Sequence, residues 1–131
     1  MSSILNTALS GLTAQTARLA VSASNVANLR STGAKPGETP QPGEFVPQQV
    51  ALTPVAGGGV RASAVAVDPP SLQSYEPGAP DADAEGLVYR PNVDLASELV
   101  TQLEAQRNFQ ANLKVIEAED ERLGDLLDVI S

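Results

Sequence analysis

The chain has 131 residues, the length of one domain, and it contains neither cysteine nor histidine. Disulfides, thiolate metal sites and catalysis by an imidazole are therefore excluded. The net charge of −8 argues against nucleic acid as a partner, since phosphates require a basic surface. With only two tyrosines, two phenylalanines and no tryptophan, a dense independent core is hard to build.

Charge is spread unevenly along the chain. The first 37 residues contain three bases and no acid, residues 38–90 carry a net charge of −5, and residues 91–131 carry −6. A basic N-terminal segment and an acidic C-terminal segment are suited to pairing with each other, within or between subunits. The alternative is that both sets of charges lie on solvated helix faces.

Residues 3–28 are predicted to form an amphipathic helix. Its apolar positions repeat every seven residues, with a second set four positions later, which is the pattern of a coiled-coil seam. The first set is Leu5, Leu12, Leu19 and Val26, and the second is Leu9, Thr16 and Ala23. Gly11 weakens this helix by about 1 kcal/mol relative to alanine. Asn28 and the Ser-Thr-Gly turn at 31–33 end it.

Residues 34–91 are rich in proline and glycine and are predicted to be a loop that contains one hairpin. Residues 44–55 and 60–67 have strand character, and three consecutive glycines lie in the turn between them. The prolines make this hairpin irregular. Residues 68–91 are expected to return to loop, apart from a short extended segment at 86–90.

Two ligand-binding patterns in this region are incomplete. The three glycines could approach a phosphate, but no Lys-Ser or Lys-Thr follows them, as a P-loop requires. Asp81, Asp83 and Glu85 alternate as in a calcium loop, but the remaining ligand positions are missing. Neither pattern predicts a metal or cofactor site.

Residues 93–130 are predicted to form the second helix, capped by Asn92 or Asp94. Two apolar rows run along it, again with a spacing of seven. The first row is Leu95, Phe109, Ile116, Leu123 and Ile130, interrupted by Gln102; the second is Leu99, Leu113 and Leu127, interrupted by Gln106 and Asp120. A polar residue such as Asp120 on an apolar row can fix the register of a coiled coil.

These elements predict a mainly α fold in which the N- and C-terminal helices pair as a coiled coil, with a short irregular β-hairpin and loop region between them. The chain is divided into an N-terminal helix and turn at 1–33, a Pro/Gly-rich region at 34–91 and a C-terminal helix at 92–131. Two long apolar stripes favour a subunit of an assembly over an enzyme. The remaining candidate catalytic groups, Lys35, Lys114 and scattered carboxylates, form no recognisable constellation. A cytoplasmic coiled-coil adaptor or export chaperone is the alternative.

Two sets of motifs resemble the flagellar basal-body rod and hook proteins. The N-terminal set is Ser24, Asn25, Val26, Ala27 and Asn28, followed by Thr32 and Gly33. The C-terminal set is the Tyr-Glu-Pro-Gly stretch at 75–78, then Pro91, Asn92, Val93 and Asp94, and within the last helix Arg107, Ala111 and Asn112. In these motifs and in its short length the chain looks most like the proximal-rod members of that family. It departs from them at Ala34, where relatives usually have an aromatic residue.

The resemblance implies a structural subunit of the proximal rod, the axial shaft that carries torque from the motor to the hook. Its partners would be copies of itself, other rod and basal-body subunits, and the flagellar type III export apparatus, with no cofactor. Members of the family are exported unfolded, without a cleaved signal peptide, to the rod in the periplasmic space. In agreement, residues 1–28 lack the basic start and solid apolar run of a secretory signal, and no stretch is long enough to span a membrane. We expect the side chains of Asn25 and Asn28 to bind backbone at the helix end.

Overall fold

Two helices form the ends of the described chain, and two β-hairpins lie between them in sequence. The computed structural model describes residues 3–130. In chain order the elements are α1 (Ser3–Ala27), β1 (Gln48–Pro54), β2 (Val60–Ala66), β3 (Ser71–Tyr75), β4 (Leu87–Pro91) and α2 (Leu95–Ile130). Both helices end within two residues of their predicted limits. The predicted hairpin is confirmed as β1 and β2, which pair antiparallel from Gln48 opposite Ala66 to Pro54 opposite Val60.

The prediction that residues 68–91 are mostly loop is wrong, because this stretch contains a second hairpin. β3 and β4 pair antiparallel, from Ser71 opposite Pro91 to Tyr75 opposite Leu87. The extended segment predicted at 86–90 is β4. Its partner strand β3 was not predicted, because prolines lie on both sides of it. Those prolines lie just outside β3, where a missing N–H removes no ladder hydrogen bond. The protein therefore contains more strand than the predicted mainly α fold.

The first hairpin lies along α1. At its open end, the backbone of Gln48 bonds with the side chain of Asn25, near the C-terminal end of α1. At its turn, the backbone N–H of Val60 donates to the hydroxyl of Ser10 at 3.1 Å. The adjacent Gly59 has a φ of 90°, and a Cβ there would overlap the Ser10 hydroxyl. The hairpin is thus held to the helix at both ends.

The segment that follows α1 joins it to the second hairpin and to Phe45, which precedes β1. We call this segment, Thr32, Gly33 and Ala34, the junction. Gly33 pairs with Phe45 in a parallel bridge, and its N–H donates to the carbonyl of Tyr89 in β4 at 2.8 Å. The carbonyl of Ala34 accepts from the hydroxyl of Ser71 in β3 at 2.6 Å. Because Ala34 and Ser71 are almost fully buried, the junction is a packed core of small side chains rather than a loose link.

An ion network, which we call the Arg90 network, ties the loop between β3 and β4 to the end of α1. The guanidinium of Arg90 pairs with Glu76 at 2.8 Å and with Asp81 at 3.1 Å, and it also donates to the carbonyl of Arg30 at 3.3 Å. The hydroxyl of Thr32 donates to Asp81 at 2.9 Å. The hydrogen bond from Thr32 lowers the pKa of Asp81, and the hydrogen bond from Arg90 lowers the pKa of Glu76.

The acids of the incomplete calcium pattern have structural partners. Asp81 belongs to the Arg90 network. The carboxylate of Asp83 accepts backbone hydrogen bonds from Glu85 at 3.0 Å and from Leu87 at 2.8 Å, and so it shapes the turn before β4. Within residues 3–130, no three acids are grouped as metal ligands would be.

Gly33→Ala is expected to destabilise the fold. A Cβ at this position would lie 2.7 Å from the Cβ of Ser71 and 2.9 Å from the backbone nitrogen of Pro91, so β3 or β4 would have to shift. We expect the free energy of unfolding, measured by urea denaturation, to fall by about 1–3 kcal/mol. Gly78→Ala is the control, because a Cβ at Gly78 meets nothing within 4 Å. Equal stability of the two variants would contradict the packing described for the junction.

The Arg90 network predicts a loss of stability in acid. Folding lowers the pKa of both carboxyls from ordinary values of 4.5 for Glu76 and 3.8 for Asp81, so the network contributes stability above those values. That contribution is lost as both groups protonate at lower pH. Thermal melts between about pH 6 and about pH 3 should show Tm falling more steeply in the native chain than in Asp81→Asn. Parallel curves would mean that ionisation of Asp81 contributes nothing to stability.

Candidate assembly interface

α1 and α2 contact each other along a line of small and polar residues, which we call the seam. Its members recur at intervals of three, four or seven: Ala8, Gly11, Gln15, Ser22 and Asn25 in α1, and Glu98, Gln102, Ala105, Asn112 and Glu119 in α2. The hydroxyl of Ser22 donates to the carbonyl of Glu98 at 3.2 Å and accepts from Gln102 at 3.1 Å. Because Ser22 meets Glu98 while Gly11 meets Asn112, the two helices run antiparallel.

Gly11 allows the two helices to approach closely. A Cβ at this position would lie 2.5 Å from Oδ1 of Asn112 and 2.8 Å from its Cγ. The Asn112 side chain is also held to its own helix, since its Nδ2 donates to the carbonyl of Asn108 at 2.8 Å. The glycine that weakens α1 as an isolated helix therefore makes room for its pairing with α2.

Asn25 joins α1 to both β1 and α2. Its Nδ2 donates to the carbonyl of Gln48 at 2.7 Å and to Oε1 of Glu98 at 2.7 Å, while its Oδ1 accepts from the N–H of Gln48 at 3.1 Å. Only 2% of Asn25 is exposed, so these bonds are shielded from water. The predicted bond to backbone at the helix end is confirmed for Asn28, which donates to the carbonyl of Ser24 at 2.9 Å. Asn25 also binds backbone, but that of Gln48 in β1 rather than that of the helix end.

Glu119, not Asp120, is the buried acid of α2. Asp120 interrupts an apolar row but lies exposed, whereas Glu119 is 5% exposed. Arg122, one turn further on, donates to both carboxylate oxygens of Glu119 at 2.9 and 2.7 Å. The pairing of Gly11 with Asn112 places Glu119 level with the first turn of α1, which has no acid of its own. A carboxylate in that position interacts favourably with the positive end of the helix dipole.

The predicted apolar rows lie beside the seam rather than in it, and none of their large residues is fully buried. Leu5, Leu12, Val26, Phe109 and Ile116 are half-buried, while Leu9, Leu19, Leu95, Leu99, Leu113, Leu123, Leu127 and Ile130 are exposed. The two helices pair as predicted, but small and polar residues provide most of the contact. The coiled-coil geometry of that pairing stays a prediction.

Parts of the rows line an open groove of about 920 Å³ between the two helices, which we call the groove. Seven of its eleven lining residues occupy positions of the predicted rows. These are Thr16, Leu19, Leu99, Gln102, Gln106, Phe109 and Leu113, and the other four are Gln15, Leu103, Ala105 and Gln110. The heptad pattern therefore marks one apolar face to which both helices contribute.

Gln15 gives the groove an unsatisfied hydrogen-bond acceptor. Among residues 3–130, its Oε1 is a buried side-chain atom without a hydrogen-bond partner, and the residue is 8% exposed. A buried acceptor left without a donor costs about 1–3 kcal/mol. Because this atom is closed to solvent, a donor in the groove removes the cost only if the Gln15 side chain turns outward.

The N-terminal family motif and the motif inside α2 are divided between the seam, the junction and the surface. Asn25 and Asn112 belong to the seam, and Thr32 and Gly33 belong to the junction. The remaining members are exposed or half-buried: Ser24, Val26, Ala27, Asn28, Arg107 and Ala111. The motif residues at these helix positions therefore include both contact residues and surface residues.

The motif Pro91, Asn92, Val93 and Asp94 turns the chain from β4 into α2. Pro91 is buried, and Nδ2 of Asn92 donates to the carbonyl of Pro69 at 3.0 Å. Asp94 rather than Asn92 caps α2, since its Oδ2 accepts from the N–H and the hydroxyl of Ser97 at 3.0 and 2.6 Å. The hydrogen bonds from Ser97 lower the pKa of Asp94.

Sequence reasoning did not identify the buried seam residues Ala8, Gln15, Ser22, Ala105 and Glu119. Their own spacing, seven residues in α1 and fourteen in α2, was the available signal. It runs parallel to the more conspicuous apolar rows, and small or polar residues carry little weight in a search for hydrophobic periodicity.

Charge attraction between the helices is not seen within residues 3–130. α1 has a single charged residue, Arg18. The four ion pairs of the described residues lie within α2 or within the Arg90 network. Inside the described protomer, most of the helix charges therefore lie on solvated faces, which was the alternative interpretation.

The protein exposes more surface than a compact monomer of its mass. Its accessible area is 8599 Å², whereas roughly 6,500 Å² is expected for a chain of 13.5 kDa. The hydrophobic residues that are almost fully buried are all small or medium in size: Ala8, Ala14, Ala34, Val88 and Ala105. Neither helix of the described residues combines the length and apolarity needed to cross a membrane. A small interior, an excess of surface and an apolar groove together are typical of a structural subunit of a larger assembly.

Comparison with known proteins identifies the family. Residues 5–35 match the family model of flagella basal body rod proteins, and residues 84–129 match the flagellar basal body rod FlgEFG protein C-terminal model. Over 114 residues the chain is 42% identical to the flagellar basal-body rod protein FlgC of Escherichia coli O157:H7, covering 86% of this chain and 85% of that protein.

Two more distant relatives give the same result. Identity to FlgC of Agrobacterium fabrum is 36% over 123 residues, covering 92% of this chain and 88% of the relative. Identity to FlgC of Bacillus subtilis is 33% over 146 residues, covering 95% of each chain. The chain belongs to the FlgC family of flagellar basal-body rod proteins, which confirms the resemblance found in its motifs.

Asn25→Ala is expected to cost far more stability than Asn28→Ala. The first variant removes the part-buried bonds to the backbone of Gln48 and the bond to Glu98, whereas the second removes one exposed local bond. We expect losses of about 2–4 kcal/mol and at most about 1 kcal/mol, respectively, in urea denaturation. If the two alanine variants lose the same stability, Asn25 does not join the three elements as described.

Proposed function

We infer that this protein is a structural subunit of the flagellar basal-body rod, and we propose that it assembles through α1 and α2. The observation that carries this conclusion is the identity to FlgC proteins over most of the chain. The exposed apolar groove supports the proposed route of assembly. The family is a structural one rather than a family of enzymes, and nothing in the comparisons favours a cytoplasmic adaptor or export chaperone.

The proposed contact surface consists of the apolar rows. Leu19, Leu99 and Leu113 lie beside the seam and are 39–50% exposed, so burial of what remains exposed contributes about 0.6–1.5 kcal/mol for each. A neighbour that covers the groove therefore gains several kcal/mol from a few residues. We propose that copies of this chain and other rod and basal-body subunits cover the rows, while the seam keeps its contacts within the protomer.

The proposed location is the rod in the periplasmic space, reached through the flagellar type III export apparatus. Export through a narrow channel requires a chain that unfolds easily. The small interior supports this route, because alanines bury little apolar area and contribute little to stability. Contacts with neighbouring subunits would then supply much of the stability of the assembled state.

The proposed division of labour follows the three regions of the chain. Residues 1–33 and 92–131 would form the shaft that transmits torque, since they contain the paired helices. Residues 34–91 would brace α1, because the first hairpin is bonded to it at Ser10 and at Asn25. A shaft under torque needs such fixed contacts between its elements.

Deletion of the gene tests the function. We expect cells without it to lack rod, hook and filament in electron micrographs and to be unable to swim, and the intact gene should restore both. Intact, motile flagella in the deletion strain would contradict the proposed role in the rod.

Leu113→Asp and Leu19→Asp test the route of assembly, because each places a charge in the groove. Neither gene variant should restore swimming to the deletion strain, whereas the volume-conserving Leu113→Met should restore it. Leu113 is 39% exposed, so the purified aspartate variant should keep its fold, as judged by circular dichroism. A motile strain that carries Leu113→Asp would show that the groove is not an assembly surface.

A further inference from the structure

The C-terminal end of α2 extends beyond α1. Since Gly11 lies opposite Asn112, Ser3 lies level with residue 120, and residues 121–130 continue past the start of the described part of α1. We call residues 121–130 the α2 tip; it is about 15 Å long. Among the described helices and strands, only α1 packs against α2, so neither hairpin covers the tip.

The α2 tip carries a dense set of exposed apolar side chains. Their exposed fractions run from 40% to 85%: Leu123, Leu126, Leu127, Val129 and Ile130. Single exposed apolar residues are common, but five within eight positions of one helix end mark an interaction surface. Because α2 is one continuous helix, the tip cannot fold back onto the groove of its own protomer.

The groove matches the tip in length and in charge. Along α2 it runs from Leu99 to Leu113, about 21 Å, which is enough for a tip of about 15 Å. The tip has a net charge of −2, while the helix segments that line the groove, 15–19 and 99–113, have a net charge of +1 from Arg18, Glu104 and Arg107. Opposite charges of this kind favour one docking partner over others and suppress like-with-like pairing.

The tip also offers a donor for the unsatisfied acceptor in the groove. Arg122 is the only residue of 121–130 whose side chain carries hydrogen-bond donors at neutral pH. Its side chain is 57% exposed and uses two of its five N–H groups on Glu119, which leaves three for another partner. The Oε1 of Gln15 is closed to solvent in the protomer, so it accepts such a bond only when its side chain turns toward the docked tip.

We propose that the α2 tip of one copy of this chain docks in the groove of a second copy. The proposal rests on the proposed function, because it names the partner of the assembly surface. Tip and groove are different surfaces, so the contact is heterologous and leaves a free tip at one end and a free groove at the other. Repetition of such a contact builds a head-to-tail polymer rather than a closed two-fold dimer.

Cysteine cross-linking tests the proposal directly, because the native chain has no cysteine. Three full-length single-cysteine variants are needed: Leu103→Cys in the groove, Leu127→Cys in the tip, and Leu72→Cys in β3 as the control. All three positions are well exposed, at 57%, 69% and 55%, so the fold should tolerate the change. Leu103→Cys is mixed with each of the others, oxidised mildly, and the mixed dimer is quantified on non-reducing gels.

We expect about tenfold more mixed dimer with Leu127→Cys than with Leu72→Cys, a difference that corresponds to about 1.4 kcal/mol. Adding Leu113→Asp to the Leu103→Cys chain should abolish the excess. Equal yields, or a predominance of dimers between two Leu103→Cys chains, would overturn the proposal. If cross-linking shows no excess but deletion of the gene still removes the rod, only the docking of the tip is rejected. If cells without the gene still swim, the proposed rod function itself is rejected.

Discussion

The close approach of α1 and α2 along the seam determines where the apolar surface of this protein lies. At Gly11 the facing Asn112 already fills the space that a single methyl group would need, and a leucine there would force the helices apart. The seam instead holds small residues and polar ones, of which Ser22 and Gln102 bond across it. The large apolar residues must lie beside the seam, and there they form the groove.

This arrangement separates two physical tasks. Within the protomer, directional hydrogen bonds from Ser22 and Asn25 fix the position of α1 against α2 and β1, as buried polar residues fix register in coiled coils. Outside it, the proposed role of the apolar groove is to supply affinity that is non-directional and grows with the area covered. On that proposal, contacts with neighbours add to the stability of the assembled subunit.

Local patterns in the sequence predicted the local structure. The heptad spacing located both helices, and the three glycines located the turn between β1 and β2. The same spacing could not tell which face of each helix would contact the other helix. Residues on two adjacent faces can both repeat every seven positions, so the period is the same for either contact. In this protein the contact is shifted to the line through Ser22 and Ala105, so the predicted rows became the groove.

The features that sequence reasoning missed depend on residues that are distant along the chain. Asn25 lies near the end of a helix, where asparagine normally bonds to nearby backbone. Its bonds to Gln48 in β1 and to Glu98 in α2 become evident only when the three elements are placed together. β3 likewise becomes recognisable as a strand only through its pairing with β4. Both features belong to the family motifs or adjoin them, as does Gly33 at the junction. The motif residues that are buried therefore fix the internal geometry, which leaves the apolar rows free to determine what the helix pair binds.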